Sequence, residues 1–400
     1  MNSSPKSHRV HIGFFGRRNV GKSSVVNAFT NQNLAVVSNV LGTTTDPVYK
    51  AMELLPMGPV MIIDTPGIDD KGELGDLRVE KTKQVLRKID VAVLVVDSTQ
   101  GLTDFDNELI SLFKERNIPY VVAYNKEDLV GITHSKDLKE NEISVSALNK
   151  TGINSLREMV AGLTANKVID KKIIGDLLNS GDIVLLVIPI DSSAPKGRLI
   201  LPQQQVIRDV LDSDGTVVVC KENEIKETIN NLNKKPRVVV TDSQAFEKAN
   251  NGTPQDIYLT SFSILMARFK GFLETAVIGA KEISRLKDGD KVLIAEGCTH
   301  HRQCEDIGSV KIPRWLSEYT NKNLDITLVS GTEYPEDLSP YSLVIHCGGC
   351  MLNTREMQYR MSHTIEQGIP FTNYGTAIAY LHGILERSIE FIPEVKDILD

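Results

Sequence analysis

Short apolar runs rich in β-branched residues alternate with amphipathic segments along the chain, and this alternation predicts a parallel α/β architecture. Over residues 1–166 the apolar runs predict strands at His11–Phe15, Val60–Asp64, Val91–Asp97 and Pro119–Asn125. Segments with helical spacing between them predict helices, as at Gly21–Thr30 and Asn107–Arg116. The first region is therefore expected to form one α/β domain.

A second region, residues 167–256, repeats the pattern after the polar segment Ala165–Asp176, which is expected to be a connector. Strands are predicted at Ile183–Ile190, Thr216–Cys220 and Arg237–Thr241, and helices at Gln203–Leu211, Glu222–Leu232 and Ser243–Ala249. The sequence of this region contains no glycine-rich phosphate loop and no suggestive pair of His or Asp residues. We interpret it as a packing or oligomerisation module.

A third region, residues 257–400, follows the turn-forming cluster Asn250–Pro254. It begins with one long predicted helix, Ser261–Arg285. Further strands are predicted at Lys291–Ala295, Asp325–Val329 and Leu343–His346, and further helices at Thr354–Gln367 and Gly375–Glu390. The pattern thus predicts three α/β domains, with boundaries after residues 166 and 256.

The composition fits a globular protein with several domains. Of the 400 residues, 41% are hydrophobic, which is enough for more than one core. The polar segment Met1–Arg9 lacks the apolar stretch of a secretion signal, and no later apolar run is long enough to cross a bilayer. We therefore expect a cytoplasmic protein with no membrane partner.

Charge and cysteine usage narrow the possible partners. The formal net charge is -7 and the pI is near 5.7. Lys and Arg are scattered through acidic sequence, which disfavours nucleic acid as the main partner. Three of the 5 cysteines lie beside histidines or each other, a pattern that predicts metal ligation rather than disulfides.

The segment Gly16–Ser23 has the sequence GRRNVGKS, a complete phosphate-loop pattern between a predicted strand and a predicted helix. Its glycines let backbone N–H groups curl around phosphates, and the helix N-terminus adds its dipole. Lys22 is expected to bridge the β- and γ-phosphates, and the Ser23 hydroxyl to bind Mg²⁺. The chain is therefore expected to bind a nucleoside triphosphate.

The next predicted strand leads into Asp64–Gly67, with the sequence DTPG. Asp64 is expected to contact the groups that ligate Mg²⁺ rather than the ion itself. The Gly67 N–H is expected to face the γ-phosphate. Alone, this segment could be an ordinary Pro-Gly turn. Its position behind a phosphate loop favours the nucleotide site.

Two further motifs are NKED at Asn125–Asp128 and SVSA at Ser144–Ala147. With them the first region resembles the Era and TrmE group of GTPases, whose Asn-Lys-x-Asp motif recognises guanine. The resemblance implies that Asp128 accepts hydrogen bonds from the guanine ring N–H and amino group, and that Lys126 packs on the base. It also implies that Ser146–Ala147 contacts the guanine carbonyl. Adenine has the opposite donor pattern, so the expected nucleotide is GTP.

The segment Gly42–Asp46, GTTTD, resembles the GTTRD switch of the same group, which implies that Thr44 ligates Mg²⁺. Thr45 stands in place of the usual Arg. Ras-like enzymes place a water-orienting glutamine after DTPG, whereas this chain has Ile68, so intrinsic hydrolysis is expected to be slow. The resemblance further implies that Asn19 helps to hold K⁺ against the phosphates and that potassium stimulates the GTPase.

The candidate residues of the nucleotide site come from all of these motifs. The catalytic candidates are Lys22, Asn19, Thr44 and Asp64. The nucleotide-binding candidates are Gly16, Asn19, Val20, Gly21, Lys22, Ser23, Ser24, Thr44, Asp64, Gly67, Asn125, Lys126, Asp128, Ser146 and Ala147. The expected cofactors are GTP, Mg²⁺, held by Ser23 and Thr44, and K⁺.

The metal-binding candidates form two groups, CTH at Cys298–His300 and HCGGC at His346–Cys350. Both follow predicted strands and are expected at the carboxyl edge of one sheet, where ligands collect in parallel α/β folds. Thiolates with imidazoles suit iron–sulfur or zinc, and three cysteines leave a fourth position open. The candidate ligands are Cys298, Cys347 and Cys350, and the fourth position could take His300, His346, water or an incoming ligand. Buried thiols beside core histidines are the alternative, which the Cys-x-x-Cys spacing disfavours.

A TrmE-like GTPase domain followed by Cys-x-His and a distant His-Cys-x-x-Cys resembles the HydF family, the GTPases among the maturation proteins of iron-iron hydrogenase. The resemblance covers the whole chain. It implies that the middle region forms a homodimer and that the third region carries a [4Fe-4S] cluster. It also implies a scaffold that receives a two-iron precursor, passes it to apo iron-iron hydrogenase, and works with two radical SAM maturases. The sequence lacks the Cys-x-x-x-Cys-x-x-Cys motif of radical SAM enzymes, so it is not expected to make CO or cyanide itself.

A ribosome- or RNA-associated GTPase with a structural zinc site is the alternative function. It predicts a basic face or an RNA-binding module in the C-terminal half. The segment Ser261–Asp400 is mildly acidic and contains no recognisable module of that kind. The sequence therefore favours the metallocluster scaffold.

Overall fold

The computed structural model describes the chain in nine stretches. They are residues 9–32, 47–55, 57–66, 81–130, 138–165, 171–190, 199–297, 306–331 and 333–398. The chain divides into two compact units, Met1–Ile169 and Asp170–Asp400. The first unit contains a six-stranded sheet and the second contains two four-stranded sheets. The predicted α/β class is confirmed.

The first unit is built around a single mixed sheet. In chain order its elements are β1 (Val10–Phe15), α1 (Lys22–Thr30), β2 (Val48–Leu54), β3 (Gly58–Asp64), β4 (Val91–Asp97), α2 (Asp104–Glu115), β5 (Tyr120–Asn125), β6 (Glu142–Ser144) and α3 (Ile153–Ala165). The strand order is β2-β3-β1-β4-β5-β6. All neighbours pair in parallel except β2 and β3.

Both faces of this sheet are apolar, so helices can cover each of them. Along β1, Ile12 and Phe14 enter the core on one face, while Phe15 belongs to the core on the other face. Every residue of β4 is buried. Because β4 lies in the middle of the sheet, its near-continuous run of Val, Ala and Leu is the composition expected of a parallel strand buried on both sides.

The strand order places β1 between β3 and β4, where the sheet reverses its direction of winding. In open parallel sheets, loops at the carboxyl ends of strands separate at such a point and leave a crevice for a ligand. The phosphate-loop sequence begins directly after β1. The fold therefore places this loop at the expected ligand-binding edge.

The second unit contains two parallel sheets. The first is made of β7 (Ile183–Val187), β8 (Thr216–Cys220), β9 (Val238–Thr241) and β10 (Tyr258–Ser261), in the order β10-β9-β7-β8. Its helices are α4 (Leu201–Leu211), α5 (Ile225–Asn231) and α6 (Phe246–Gly252). Since β10 pairs with β9, this sheet continues past residue 256.

The second sheet of this unit has the order β12-β11-β13-β14. Its strands are β11 (Lys291–Glu296), β12 (Asp325–Ser330), β13 (Leu343–His346) and β14 (Phe371–Asn373). The accompanying helices are α7 (Phe262–Lys270), α8 (Leu273–Lys281), α9 (Ile312–Thr320), α10 (Thr354–Glu366), α11 (Tyr374–Leu381) and α12 (Leu385–Ile389). All strand pairs are again parallel.

One hydrophobic core joins the two sheets of the second unit. It contains Val184 and Val240 from the first sheet and Leu293 and Ile345 from the second. Each sheet of this unit therefore packs into a core that both share. The prediction that residues 167–256 and 257–400 form separate domains stays a prediction. Part of the expected connector also enters this core, where Ile174 is fully buried.

The predicted continuous helix Ser261–Arg285 is wrong. Gly271, at φ 78°, ends α7, and the chain restarts as α8. A left-handed residue cannot continue a right-handed helix, and glycine adopts this conformation without strain. Gly383, at φ 69°, separates α11 from α12 in the same way.

None of the described helices combines the length and the apolar composition needed to cross a bilayer.

Candidate functional site

The phosphate loop makes a tight turn between β1 and α1. Gly16, Asn19 and Gly21 all have positive φ, at 150°, 63° and 84°. A Cβ on Gly16 would press on the Val95 carbonyl oxygen, and one on Gly21 would press on the Asn125 side chain. The two glycines are therefore required both for the backbone conformation and for the close packing of the loop on the sheet.

Lys22, Ser23 and Asp64 meet below this loop. The Lys22 ammonium pairs with one Asp64 oxygen, and Ser23 Oγ donates to the other at 3.1 Å. The Thr65 hydroxyl donates to the Phe14 carbonyl at 2.7 Å and holds the end of β3 against β1. The sequence-predicted cation, hydroxyl and carboxylate are thus together, with Lys22 and Asp64 both buried.

Asn125 connects the phosphate loop to the SVSA turn. Its Nδ2 donates to the Val20 carbonyl and its Oδ1 accepts from the Ala147 N–H, both at 3.0 Å. The side chain is buried, so both bonds are protected from water. The first residue of the NKED motif therefore fixes the relative positions of two other motifs.

Lys126, at φ 67°, turns back under the phosphate loop. Its Nζ donates to the Asn19 carbonyl at 2.9 Å and to Asp97 Oδ2 at 2.6 Å. Burial by itself raises the pKa of Asp97, but hydrogen bonds from Lys126 and Thr99 outweigh it and hold the pKa below its usual value. Sequence reasoning did not single out Asp97; its position as the last residue of β4, at the ligand edge, was the available signal.

Asp128 is held in place by Ser146. Ser146 Oγ donates to Asp128 Oδ1 at 2.5 Å and itself accepts from the Asn149 N–H at 3.1 Å. Ser146 is buried and Asp128 is exposed. The carboxylate predicted to recognise guanine is therefore oriented by Ser146 and exposed to solvent.

The other candidates of the nucleotide site are less informative. Val20 is buried beside the loop, and Ser24 lies in the first turn of α1. Thr44, Thr45, Gly67 and Ile68 lie outside the described residues.

The second candidate site lies at the end of β13. Cys347 Sγ accepts from the Gly297 N–H at 3.1 Å and from the Gly349 N–H at 3.3 Å. Burial raises the pKa of Cys347, and these two backbone donors act in the opposite direction. Gly349 has φ 60°, and a Cβ there would strike the Met357 side chain. The HCGGC sequence thus permits a turn that aims a backbone N–H at the sulfur.

Lys270 lies under the same turn. Its Nζ donates to the Gly349 carbonyl and, at 2.9 Å, to the Leu352 carbonyl, and its residue is only 3% exposed. Burial lowers the pKa of Lys270 to about 8, while attraction by Cys350 and Cys347 acts to raise it. Sequence reasoning missed this residue because it falls inside a predicted helix, far along the chain from the cysteines.

His346 is fully buried, with 0% of its surface exposed. Its Nε2 lies 3.1 Å from Arg360 Nη1 and its Nδ1 lies 2.8 Å from the Cys347 carbonyl. Arginine only donates, so Nε2 is the acceptor and the proton is on Nδ1. Burial and, after it, the positive charge of Arg360 lower the pKa of His346 to about 3. The prediction of His346 as a fourth metal ligand stays a prediction, but both of its nitrogens are engaged inside the protein.

Arg360 is the hub of a buried polar network that sequence reasoning did not find. It donates to Glu356 at 3.0 Å and to the Gly331 carbonyl at 2.8 Å, and its guanidinium lies 5.0 Å from the Tyr334 ring centre. No part of its side chain is exposed. This network keeps His346 in one orientation behind the cysteine turn.

Cys298 and His300 lie outside the described residues. Within the described stretches, no group of three His, Cys, Asp or Glu side chains is placed to hold a metal ion. Gly297, which precedes Cys298 in the sequence, is in direct contact with Cys347. Of the other cysteines, Cys220 is buried and free at the end of β8.

Comparison with protein-family models resolves the family. The model for the hydrogen maturase F dimerization domain matches residues 173–271, and the one for the hydrogen maturase F tetramerization domain matches residues 274–391. Together they cover more than half of the chain. The chain belongs to the hydrogen maturase F family. The remaining matched stretch, residues 11–126, fits the 50S ribosome-binding GTPase model, so this chain also carries a GTPase-type phosphate-loop domain.

Individual relatives resemble only part of this chain. GTPase Der of Mycoplasma mycoides subsp. mycoides is 30% identical over 200 residues, which is 45% of this chain and 46% of the relative. The tRNA modification GTPase MnmE of Aquifex aeolicus is 33% identical over 153 residues, or 38% of this chain and 34% of the relative. The chain spans less than half the length of either protein. A solved structure of Era with MgGDPNP and ribosomal RNA is 19% identical, covers 55% of this chain and 93% of its own, and has a TM-score of 0.35.

Proposed function

We propose that this protein is a GTP-hydrolysing scaffold that binds a [4Fe-4S] cluster and a two-iron precursor, and delivers the precursor to apo iron-iron hydrogenase. The observation that carries the proposal is the pair of hydrogen maturase F models over residues 173–391, in one chain with a GTPase-type domain. The two-iron precursor is the cargo of the scaffold and the hydrogenase is its recipient. The two radical SAM maturases would supply the cargo.

The geometry of the first unit supports GTP as the nucleotide. The exposed Asp128 carboxylate, oriented by Ser146, is an acceptor for the ring N–H and amino group of guanine. Lys22 is positioned to exchange its contact with Asp64 for the β- and γ-phosphates. Ser23 and Thr44 would ligate Mg²⁺, and the Gly67 N–H would contact the γ-phosphate. Hydrolysis is proposed to be slow, and K⁺ beside Asn19 to stimulate it.

The described part of the cysteine site fits a thiolate-ligated cluster. Cys347 receives two backbone N–H bonds on its sulfur, which favour the thiolate that iron requires. Cys298, Cys347 and Cys350 would hold the cluster. Since both nitrogens of His346 are engaged, His300 is the better candidate for the fourth position. A [4Fe-4S] cluster bound by three cysteines supplies one iron whose remaining ligand can be replaced.

The assembly is proposed to be a homodimer or a higher oligomer in the cytoplasm. The support comes from the two matched models, which are described as a dimerization and a tetramerization domain. Neither nucleic acid nor a membrane is required by the proposal. An oligomer would bring several cluster sites into one scaffold.

The test is metal analysis of the full chain purified and reconstituted without oxygen. The wild type should contain iron and sulfide in cluster amounts, and Cys347→Ala and Cys350→Ala should lose most of both. Cys220→Ala is the control, since Cys220 is a free cysteine of the same unit but lies at the end of β8. The loaded wild type should activate apo-hydrogenase and the site variants should not. Stoichiometric zinc with no iron would instead favour the ribosome- or RNA-associated GTPase.

A further inference from the structure

Lys270 places a buried positive charge beside the predicted cluster ligands. It is the last residue of α7, and Gly271 ends the helix there. Gln358 Nε2 approaches the Lys270 carbonyl at 3.5 Å, so α10 also holds this helix end. From this position the side chain crosses to the cysteine turn, 79 residues away in sequence, and donates to the Gly349 carbonyl.

The two carbonyls that Lys270 contacts lie on either side of Cys350. Gly349 precedes this cysteine, and Leu352 follows it by two residues. The backbone that carries Cys350 is therefore clamped on both sides by one ammonium group. Cys347 is fixed separately, through the two N–H groups on its sulfur. Each cysteine of the Cys-x-x-Cys pair thus has its own anchor.

A buried ammonium needs compensation, because removal of a charge from water is costly. Two carbonyl dipoles supply part of it. Among the described residues, the ionisable side chains that would attract Lys270 when deprotonated are those of Cys350 and Cys347. Three thiolates carry more negative charge than an oxidised [4Fe-4S] core carries positive charge, so a cluster held by three cysteines is anionic. The cation and the cluster would therefore compensate each other.

We propose that Lys270 is a positioning residue for the metal cluster, which clamps the turn around Cys350 and supplies the buried counter-charge that retains the cluster. This inference rests on the proposed function, since it presupposes that the cysteines hold iron. A cation beside the cluster also favours its reduced, more negative form. Lys270 therefore raises the reduction potential as well as the retention of iron.

The test compares four forms of the full chain after anaerobic reconstitution. Lys270→Met removes the charge and both donors, and Lys270→Gln removes the charge but keeps an amide donor. Lys281→Met is the matched control, because Lys281 Nζ also donates to a backbone carbonyl, that of Ile398, at 2.7 Å and is partly buried. The readouts are iron content, the rate of iron loss to a chelator, and the midpoint potential from a redox titration followed by electron paramagnetic resonance.

We expect Lys270→Met to lose iron about 10- to 100-fold faster than the wild type, as is typical when a residue that supports a metal ligand is removed. Both charge-removing variants should have a more negative midpoint potential, while Lys281→Met should match the wild type. A purely structural lysine would change retention without changing the potential. An unchanged midpoint potential in a folded Lys270→Met or Lys270→Gln variant would overturn the proposal that Lys270 is the counter-charge of the cluster. An unchanged rate of iron loss in Lys270→Met would overturn the proposal that Lys270 clamps the turn around Cys350.

Failure of the proposed function has a different signature. In that case the wild type itself holds no iron, and Cys347→Ala is indistinguishable from it. If Lys270→Met does not fold, as judged by circular dichroism before reconstitution, the folded Lys270→Gln variant decides the proposal through its midpoint potential.

Discussion

Asn125 donates a hydrogen bond to the Val20 carbonyl at 3.0 Å and thereby ties the NKED motif to the phosphate loop. The same side chain accepts from the Ala147 N–H, also at 3.0 Å. Three segments that are far apart along the chain therefore depend on one amide. A nucleotide that spans from phosphates to base needs these segments in register.

We expect Asn125→Ala to weaken GTP binding by about 10- to 100-fold, because two buried hydrogen bonds are lost and their partners are left unpaired. Titration with a fluorescent GTP analogue measures the change. Asn107→Ala, on the exposed side of α2, is the control and should bind as the wild type does. Equal affinity of the two variants would show that Asn125 does not organise the site.

Asp128→Asn should lower GTP affinity by about 10- to 100-fold, because a charged acceptor of two guanine donors is replaced by an amide. The amide can instead donate to the extra carbonyl of xanthine, so the variant should prefer xanthosine triphosphate. Competition between the two nucleotides measures this preference. Iron content should not change. Glu127→Gln, at the adjacent position, should retain GTP preference.

Replacement of Na⁺ by K⁺ should raise the rate of GTP hydrolysis by on the order of 10-fold or more. A cation against the phosphates would act as an arginine finger does, and such a finger supplies about 10³- to 10⁵-fold. Asn19→Gly should remove the difference between the two ions. Glycine is chosen because position 19 has φ 63°, which glycine adopts without strain. A rate that is the same in both salts would refute the potassium site.

Arg268 should give the second unit a measurable sensitivity to acid. Its guanidinium contacts Asp176 and Glu394, each at 2.6 Å. These hydrogen bonds lower the pKa of Asp176, and they lower the pKa of Glu394 although burial alone would raise it. A lowered carboxyl pKa in the folded state means that the stabilisation is present above the unfolded value and is lost as the pH falls through the folded value.

The stabilisation by these ion pairs is therefore expected to be lost below about pH 4. Because the two carboxylates are 45% and 55% exposed, solvent screening limits each pair to about 0–1 kcal/mol. Arg268→Met should lower the melting temperature at pH 7 and flatten its decline in acid. Arg285→Met, whose guanidinium is exposed, is the control. Parallel acid profiles for wild type and Arg268→Met would contradict this role.

Sequence patterns predicted the buried strands well and the exposed ones poorly. The strand β4 was predicted with its exact bounds because an uninterrupted apolar run is typical of a central parallel strand. The edge strand β2 was not predicted, because most of its side chains are exposed and it has no buried face to impose an alternating pattern. The helix ends at Gly271 and Gly383 were missed because apolar residues continue at helical spacing on both sides of each glycine.

The sequence by itself determined those motifs whose residues are close together along the chain. The phosphate loop, the NKED motif and the Cys-x-x-Cys turn each place a few residues through local backbone geometry, so their residue types are sufficient to indicate a ligand class. The family resemblance drawn from these motifs was confirmed by the models that match residues 173–391.

Only the tertiary structure decided which distant side chains support those motifs. Asn125 meets Val20 across 105 residues, and Lys270 meets Gly349 across 79. It also decided that His346 faces Arg360 and is enclosed, whereas Asp128 is open to solvent. Such pairs depend on strand order and on the packing of helices against each sheet. Those arrangements arise from the burial of whole apolar faces, and no short stretch of sequence records them.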